Sequence, residues 1–73
     1  MRSKESLKED IKTIFSINPY SDFTPTDLFY DLIILYDHDS NKLELTDIRN
    51  VLNELKMEGF IFNCNRKEIY KKV

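Results

Sequence analysis

The spacing of apolar residues changes at Gly59, the only glycine among the 73 residues of this chain. Before it, the apolar residues between Ile48 and Leu55 recur at the spacing of one helical face. After it, Phe60–Cys64 and Ile69–Val73 are rich in aromatic and β-branched residues and follow a period of two. The sequence therefore predicts a helix that ends at Gly59 and leads into a C-terminal β-hairpin. Such a hairpin must pack on the helices, because an isolated hairpin is only marginally stable.

Two more helices are predicted upstream. The first is expected at about 5–17. It begins at a capping-box pattern, Ser6–Glu9, and ends before Pro19, which disfavours helical backbone at the preceding residue. The second begins with Thr24 as its N-cap and Pro25 at its first position, where the missing N–H has no cost.

The remaining elements follow a polar loop at 37–41. Leu43–Leu45 alternates and predicts one very short strand, after which Thr46 and Asp47 are expected to cap the third helix. The predicted order is helix, helix, short strand, helix and hairpin, which is an α+β arrangement. A length near 70 residues favours a single domain over 1–73.

Size and composition argue against several classes of protein. With 41% hydrophobic residues, one core must use most of the large apolar side chains, which leaves little room for a substrate pocket of roughly 300 Å³ or more. We therefore expect that the chain is not an enzyme and that it binds no cofactor. A single cysteine, Cys64, excludes an internal disulfide and a cysteine-based zinc site. The longest apolar run, Leu32–Tyr36, is too short to cross a membrane, and Met1–Lys12 does not resemble a signal peptide. A cytoplasmic location is expected, that of the host if the source is a virus or mobile element.

Charge is distributed unevenly along the chain, although the net charge is only −2. Residues 19–47 carry seven acidic side chains against Lys42, whereas residues 48–73 are basic overall. The basic residues of that last segment are Arg49, Lys56, Arg66, Lys67, Lys71 and Lys72. Such a pattern is typical either of solvated faces or of a positive edge that meets an anionic partner.

The loop at Asp37–Asn41 places acidic or amide side chains at alternate positions, as an EF-hand calcium loop does. Counting from Asp37, the sixth residue is Lys42 in place of glycine and the twelfth is Ile48 in place of glutamate. We therefore expect local polar turns and no metal site. His38, the only histidine, is expected to be exposed in this loop and not to act as a catalytic base.

The segment Leu45–Ile61, taken with the predicted element order, resembles the winged-helix members of the helix-turn-helix superfamily. The shared pattern is a capped helix with paired aliphatic residues, then Leu55-x-x-x-Gly59-aromatic-Ile entering a hairpin whose second strand carries Tyr70. The resemblance covers roughly residues 7–73. It implies three helices, a short strand and a hairpin "wing", and it implies double-stranded DNA as the partner, with the third helix in the major groove and the wing at phosphates or the minor groove.

The resemblance also implies which residues contact DNA. The matching positions on the third helix and the wing are Arg49, Asn50, Asn53, Lys56, Asn65, Arg66 and Lys67. Arginine can donate two hydrogen bonds to a guanine edge, asparagine can pair with adenine, and basic side chains can approach phosphates. The hypothesis is a small transcriptional regulator in which Arg49 and Asn53 read bases while Lys56, Arg66 and Lys67 meet phosphates.

Two departures from the family pattern favour an alternative. The loop before the third helix is long and acidic, and Asp47, Glu54 and Glu58 lie on or near that helix. Since DNA affinity depends largely on phosphate neutralisation, one copy should bind weakly, and specific binding would need a homodimer reading two half-sites. The alternative is a winged-helix adaptor that binds another protein without DNA contact, which suits a pI of about 5.3.

Overall fold

Three helices and an antiparallel β-hairpin make up the part of the chain that the computed structural model describes, residues 4–64 and 67–73. The predicted helices and the predicted hairpin are thus confirmed as a small α+β fold. In chain order the elements are a 3₁₀ turn (Lys4–Ser6), α1 (Leu7–Ile17), α2 (Pro25–Leu35), α3 (Leu45–Met57), β1 (Ile61–Cys64) and β2 (Ile69–Lys72).

The start of α2 is the one that the sequence predicts best. The Thr24 Oγ1 atom accepts a hydrogen bond from the Asp27 amide (3.2 Å), and Asp27 Oδ2 accepts one from the Thr24 amide (3.0 Å). Pro25 follows the cap, where a backbone N–H is not needed. The start of α1 differs from the prediction: the preceding 3₁₀ turn holds Ser6 in helical backbone geometry (φ −90°, ψ −1°), so its side chain makes no cap hydrogen bond.

The predicted strand at Leu43–Leu45 is wrong, and α3 begins earlier than expected. Glu44, not Thr46, is the N-cap, with extended backbone (φ −117°, ψ 153°), and its amide donates to Asp47 Oδ2 (3.1 Å). The alternation arises because Leu43 is buried in the approach to the helix while Leu45 is already its first residue.

A third backbone pairing instead comes from the segment before α2. Phe23 and Tyr70 form an antiparallel bridge, with N–O distances of 2.9 Å and 2.8 Å. The Phe23 ring also packs edge-to-face on Phe15 of α1, with ring centroids 5.2 Å apart. These contacts attach the outer edge of β2 to the helices, which is the packing that a lone hairpin requires.

Gly59 lies at the predicted helix end and has the predicted left-handed backbone (φ +78°). The Gly59 amide donates to Lys56 O (3.1 Å) and the Phe60 amide donates to Leu55 O (2.9 Å), which together form a Schellman motif. β1 follows at once and pairs with β2 from Ile61 opposite Lys72 to Cys64 opposite Ile69. The motif therefore turns the chain directly from α3 into the hairpin.

One continuous apolar core joins all these elements. Its members are buried apolar side chains from the three helices, two loops and β1: Leu7, Ile11, Ile14, Phe15, Phe23, Leu28, Leu32, Leu43, Ile48, Leu52, Leu55 and Ile61. The face of α3 predicted to be buried is among them. Within the described residues, none of the helices is long and apolar enough to span a membrane.

His38 is not exposed, contrary to the prediction. Only 5% of its surface is accessible, and its Nε2 atom lies 2.7 Å from Oδ2 of Asp10, a buried carboxylate on α1. The reason is the backbone at Asp37 (φ +56°), which turns the chain back so that the His38 amide donates to Leu32 O (3.0 Å). A hydrogen-bonded partner makes burial of both polar groups tolerable, so the loop after α2 is anchored to α1.

Replacing Gly59 tests the left-handed turn. A Cβ atom at this position would meet nothing within 4 Å, so the penalty of Gly59→Ala comes from backbone conformation alone. We expect Gly59→Ala to lower the free energy of unfolding by about 1–2 kcal/mol, and Gly59→Asn to lower it less, because asparagine tolerates this region better. Urea denaturation followed by circular dichroism measures both. Equal stability of the alanine variant and the parent chain would contradict this role.

Candidate nucleic-acid interface

The solvent-facing side of α3 carries four of the seven residues predicted to contact DNA. Burial of Ile48 and Leu52 in the core turns this side outward. Arg49, Asn53 and Lys56 are spaced i, i+4 and i+7, so they lie along one flank of the helix, and Asn50 lies beside them. All four side chains are exposed. We call these four residues the α3 polar flank.

Arg49 is held by a carboxylate of the hairpin. Its Nε atom donates to Glu68 Oε1 (2.8 Å) and one terminal nitrogen donates to Oε2 (3.2 Å), so the guanidinium and the carboxylate meet through two parallel hydrogen bonds. The hydrogen bond to Glu68, and then the charge of that carboxylate, raises the pKa of Arg49 above its ordinary value. The pair joins α3 to the residues just before β2, and it engages two of the five N–H donors of the guanidinium group.

The hairpin loop adds one described candidate residue, Lys67, which is exposed. The half-buried Asn63 of β1 supports the loop: its Nδ2 atom donates to Lys67 O (2.5 Å) and to Ile69 O (3.1 Å). This bridge fixes the backbone from which Lys67 projects. Asn65 and Arg66 lie outside the described residues.

Two carboxylates near the C-terminal end of α3 lie on a different flank. Glu54 and Glu58 are four residues apart, and both pair with Lys8 of α1, whose Nζ atom is 3.4 Å from Glu54 Oε2 and 2.5 Å from Glu58 Oε2. The hydrogen bond to Glu58 is the main cause that raises the pKa of Lys8. The two carboxylates are therefore drawn towards α1 and away from Arg49 and Lys56.

The basic residues of β2 are also engaged. Lys71 pairs with Asp22 (3.3 Å), and the Lys72 ammonium lies 4.4 Å from the centroid of the Phe60 ring, a cation–π distance. By contrast, neither Lys56 nor Lys67 makes an ion pair with any residue in 4–64 or 67–73. Two lysines, one on α3 and one on the hairpin loop, are thus exposed on this surface and are the candidates for contact with a phosphate.

The sequence predicts polar turns and no metal site in the acidic loop after α2. Over 4–64 and 67–73, no group of three or more His, Cys, Asp or Glu side chains could hold a metal ion. In the loop after α2, Asp39 Oδ1 accepts a hydrogen bond from the Asn41 amide (2.9 Å), a local turn of the expected kind. The other titratable pair, His38 and Asp10, is buried between the loop after α2 and α1.

Sequence reasoning identified the α3 polar flank but missed Glu68 and Asn63. Glu68 directly follows two basic residues in the sequence, and that reversal of sign was the only available signal of an ion pair. Nothing local identified Arg49 as its partner, because the two residues are 19 positions apart. Asn63 gave no signal, since an asparagine in a strand usually indicates a turn or an edge.

Comparison with known proteins finds no matching family model, curated protein or solved structure. No relative therefore assigns a role to the α3 polar flank or to the hairpin loop, and their geometry and charge are the basis of the proposal below.

Asn63 offers a test of how the hairpin loop is supported. Asn63→Asp keeps the shape of the side chain but removes both N–H donors and places a carboxylate against two carbonyl oxygens. We expect a loss of stability of about 1–3 kcal/mol, together with faster amide exchange at 67–69. Asn53→Asp, an identical change at an exposed position of α3, is the control and should alter neither quantity substantially. Unchanged exchange at 67–69 in Asn63→Asp would show that the bridge does not order the loop.

Proposed function

We propose that this chain is a winged-helix domain that binds double-stranded DNA and acts as a small regulator of transcription. In this proposal α3 enters the major groove through the α3 polar flank, and the hairpin is the wing, whose loop approaches the phosphate backbone. The element order supports it: three helices lead through Gly59 into an antiparallel hairpin that is tied to the helices at Tyr70. The order of helices and strands is compatible with a winged-helix domain. The proposed DNA role rests on the charges and polar side chains of α3 and the hairpin loop.

The observation that carries the proposal is the separation of charge around α3. One flank presents Arg49, Asn53 and Lys56, which are residue types suited to guanine edges, adenine edges and phosphates. The carboxylates of Glu54 and Glu58 point to the other flank, where Lys8 neutralises them. A DNA groove could therefore meet the polar flank without an unpaired carboxylate of α3 at the contact.

The same charges predict modest affinity. Nonspecific binding follows the number of phosphates neutralised, and Lys56 and Lys67 are the two described cations of this surface without an ion-pair partner among the described residues. One copy should therefore bind duplex DNA weakly, and specific recognition should involve two copies on two half-sites.

The decisive experiment is a selection from random duplex DNA at about 100 mM salt, where phosphate contacts still contribute measurably. Recovery of a two-fold symmetric site would support both the DNA role and the dimer. An empty selection, with no binding of duplex DNA in fluorescence anisotropy at low salt, would contradict the proposal and favour a protein adaptor.

Charge-removal variants test which lysines meet phosphates. Lys56→Gln and Lys67→Gln should each weaken binding to any duplex sequence and lower the slope of log K against log salt by about 1. Lys42→Gln is the control, because it removes the same charge from an exposed position outside α3 and the hairpin. Anisotropy titrations at several salt concentrations provide the slopes. A control variant that loses as much slope as the other two would mean that net charge, and not this surface, determines binding.

Glu68→Gln tests whether the ion pair restrains Arg49. The variant keeps the size of the side chain but releases the guanidinium and removes one negative charge from the interface. We expect tighter binding to duplex DNA and a salt slope larger by about 1, since one more cation becomes available to phosphates. Glu9→Gln, the same change at an exposed position of α1, should leave both quantities unchanged. If the parent chain binds DNA and Glu68→Gln binds equally well, the ion pair does not limit Arg49.

A further inference from the structure

The outward side of α2 is apolar, although the helix buries its opposite side in the core. Tyr30 and Ile34 are 58% and 73% exposed, while Leu28 and Leu32 are fully buried. Tyr30 and Ile34 are spaced i and i+4, so they adjoin on the helix surface, and the half-buried Ile33, which also packs against the core, lies next to them; we call these three residues the α2 strip. Burying this strip against a partner would gain hydrophobic free energy that the domain alone leaves unused.

Two carboxylates border the α2 strip on one side. Asp27 and Asp31 are four residues apart on the same helix, which has no basic residue. Partial burial, followed by the nearby charge of Asp27, raises the pKa of Asp31. Within 4–64 and 67–73, no lysine or arginine forms an ion pair with Asp31. The border therefore carries negative charge that lacks a cation in the described domain.

We propose that the α2 strip docks a basic amphipathic α-helix of another protein, with apolar anchors against Tyr30 and Ile34 and lysine or arginine beside Asp27 and Asp31. A helix laid along an apolar face uses anchors at the same i, i+3, i+4 spacing. Basic residues on the partner would relieve the repulsion between the two carboxylates and set the register of docking. This role concerns α2 and does not depend on DNA binding by α3 and the hairpin.

Two other occupants fit the surface less well. If α2 paired antiparallel with α2 of a second copy, the two-fold axis would bring both acidic borders to the same edge. A parallel pairing would supply no cation either, because α2 has none. A membrane surface rich in anionic lipid would repel Asp27 and Asp31, since such surfaces attract basic segments.

Two synthetic helical peptides provide the probe. Both carry leucines at i, i+3, i+4 and i+7; one has lysines beside them and the other has glutamates at the same positions. We expect the lysine peptide to shift the amide resonances of 27–35 in ¹⁵N spectra and to bind the parent chain about tenfold or more tightly than the glutamate peptide. Shifts confined to other elements, or equal affinity for both peptides, would overturn the proposal.

Matched variants separate docking from general attraction to an acidic protein. Ile34→Ser should weaken the lysine peptide about tenfold, while Met57→Ser, at an exposed apolar position of α3, should not. Asp31→Lys should reverse the preference, so that the glutamate peptide binds more tightly than the lysine peptide. Glu9→Lys, the same charge change on α1, should leave the original preference unaltered. If neither α2 variant changes binding, the proposal fails.

Two further measurements test whether a second copy covers the α2 strip and whether peptide docking is independent of DNA binding. Oligomers of the chain alone in sedimentation, which Ile34→Ser dissociates, would show that a second copy covers the strip and would overturn the proposal. DNA affinity should be the same for Ile34→Ser and the parent chain, and peptide affinity the same for Lys67→Gln and the parent chain. Loss of duplex binding would therefore contradict only the proposed function, and loss of peptide binding only this one.

Discussion

The left-handed turn at Gly59 is the constraint on which the position of the hairpin depends. It lets the last carbonyls of α3 accept hydrogen bonds from Gly59 and Phe60, and it starts β1 within two residues of the turn, with Ile61 already buried in the core. The bridge between Phe23 and Tyr70 then holds the other edge of the sheet. These attachments place β1 against α3 and β2 against the segment before α2.

Ion pairs organise the surface around α3 more than the net charge of −2 does. Glu68 engages Arg49, while Lys8 draws Glu54 and Glu58 to the far side of the helix. Among the described residues, these ion pairs leave Lys56 and Lys67 as the cations of this surface without a partner of opposite charge. For a DNA-binding role this favours cooperation between copies over tight binding by one copy.

The helix α2 contrasts with α3 because it is apolar on two sides. Leu28 and Leu32 form part of the core, and Tyr30 and Ile34 face solvent beside two carboxylates. The two proposed partners, DNA and a basic helix, would therefore meet chemically distinct surfaces on adjacent helices. A regulator whose α3 and hairpin meet DNA while α2 meets a protein would connect the two within one small core.

The sequence by itself determined the features that depend on neighbouring residues. The Thr24 N-cap, the glycine stop at Gly59, the existence of the helices and the hairpin, and the exposed residues of α3 were predicted and confirmed, because each depends on only a few neighbouring positions. Where two local signals competed, as in Leu43–Leu45, the prediction was wrong, since alternating burial also occurs where a loop enters a helix.

Only the tertiary structure decided which distant residues meet. Arg49 and Glu68 are 19 residues apart, Asp10 and His38 are 28 apart, and Lys8 and Glu58 are 50 apart. These pairings set the burial of the histidine, the partner of the candidate base-reading arginine and the side to which the acidic residues of α3 turn. No local pattern contains them, because they arise from the packing of α1, α3 and the hairpin around one shared core.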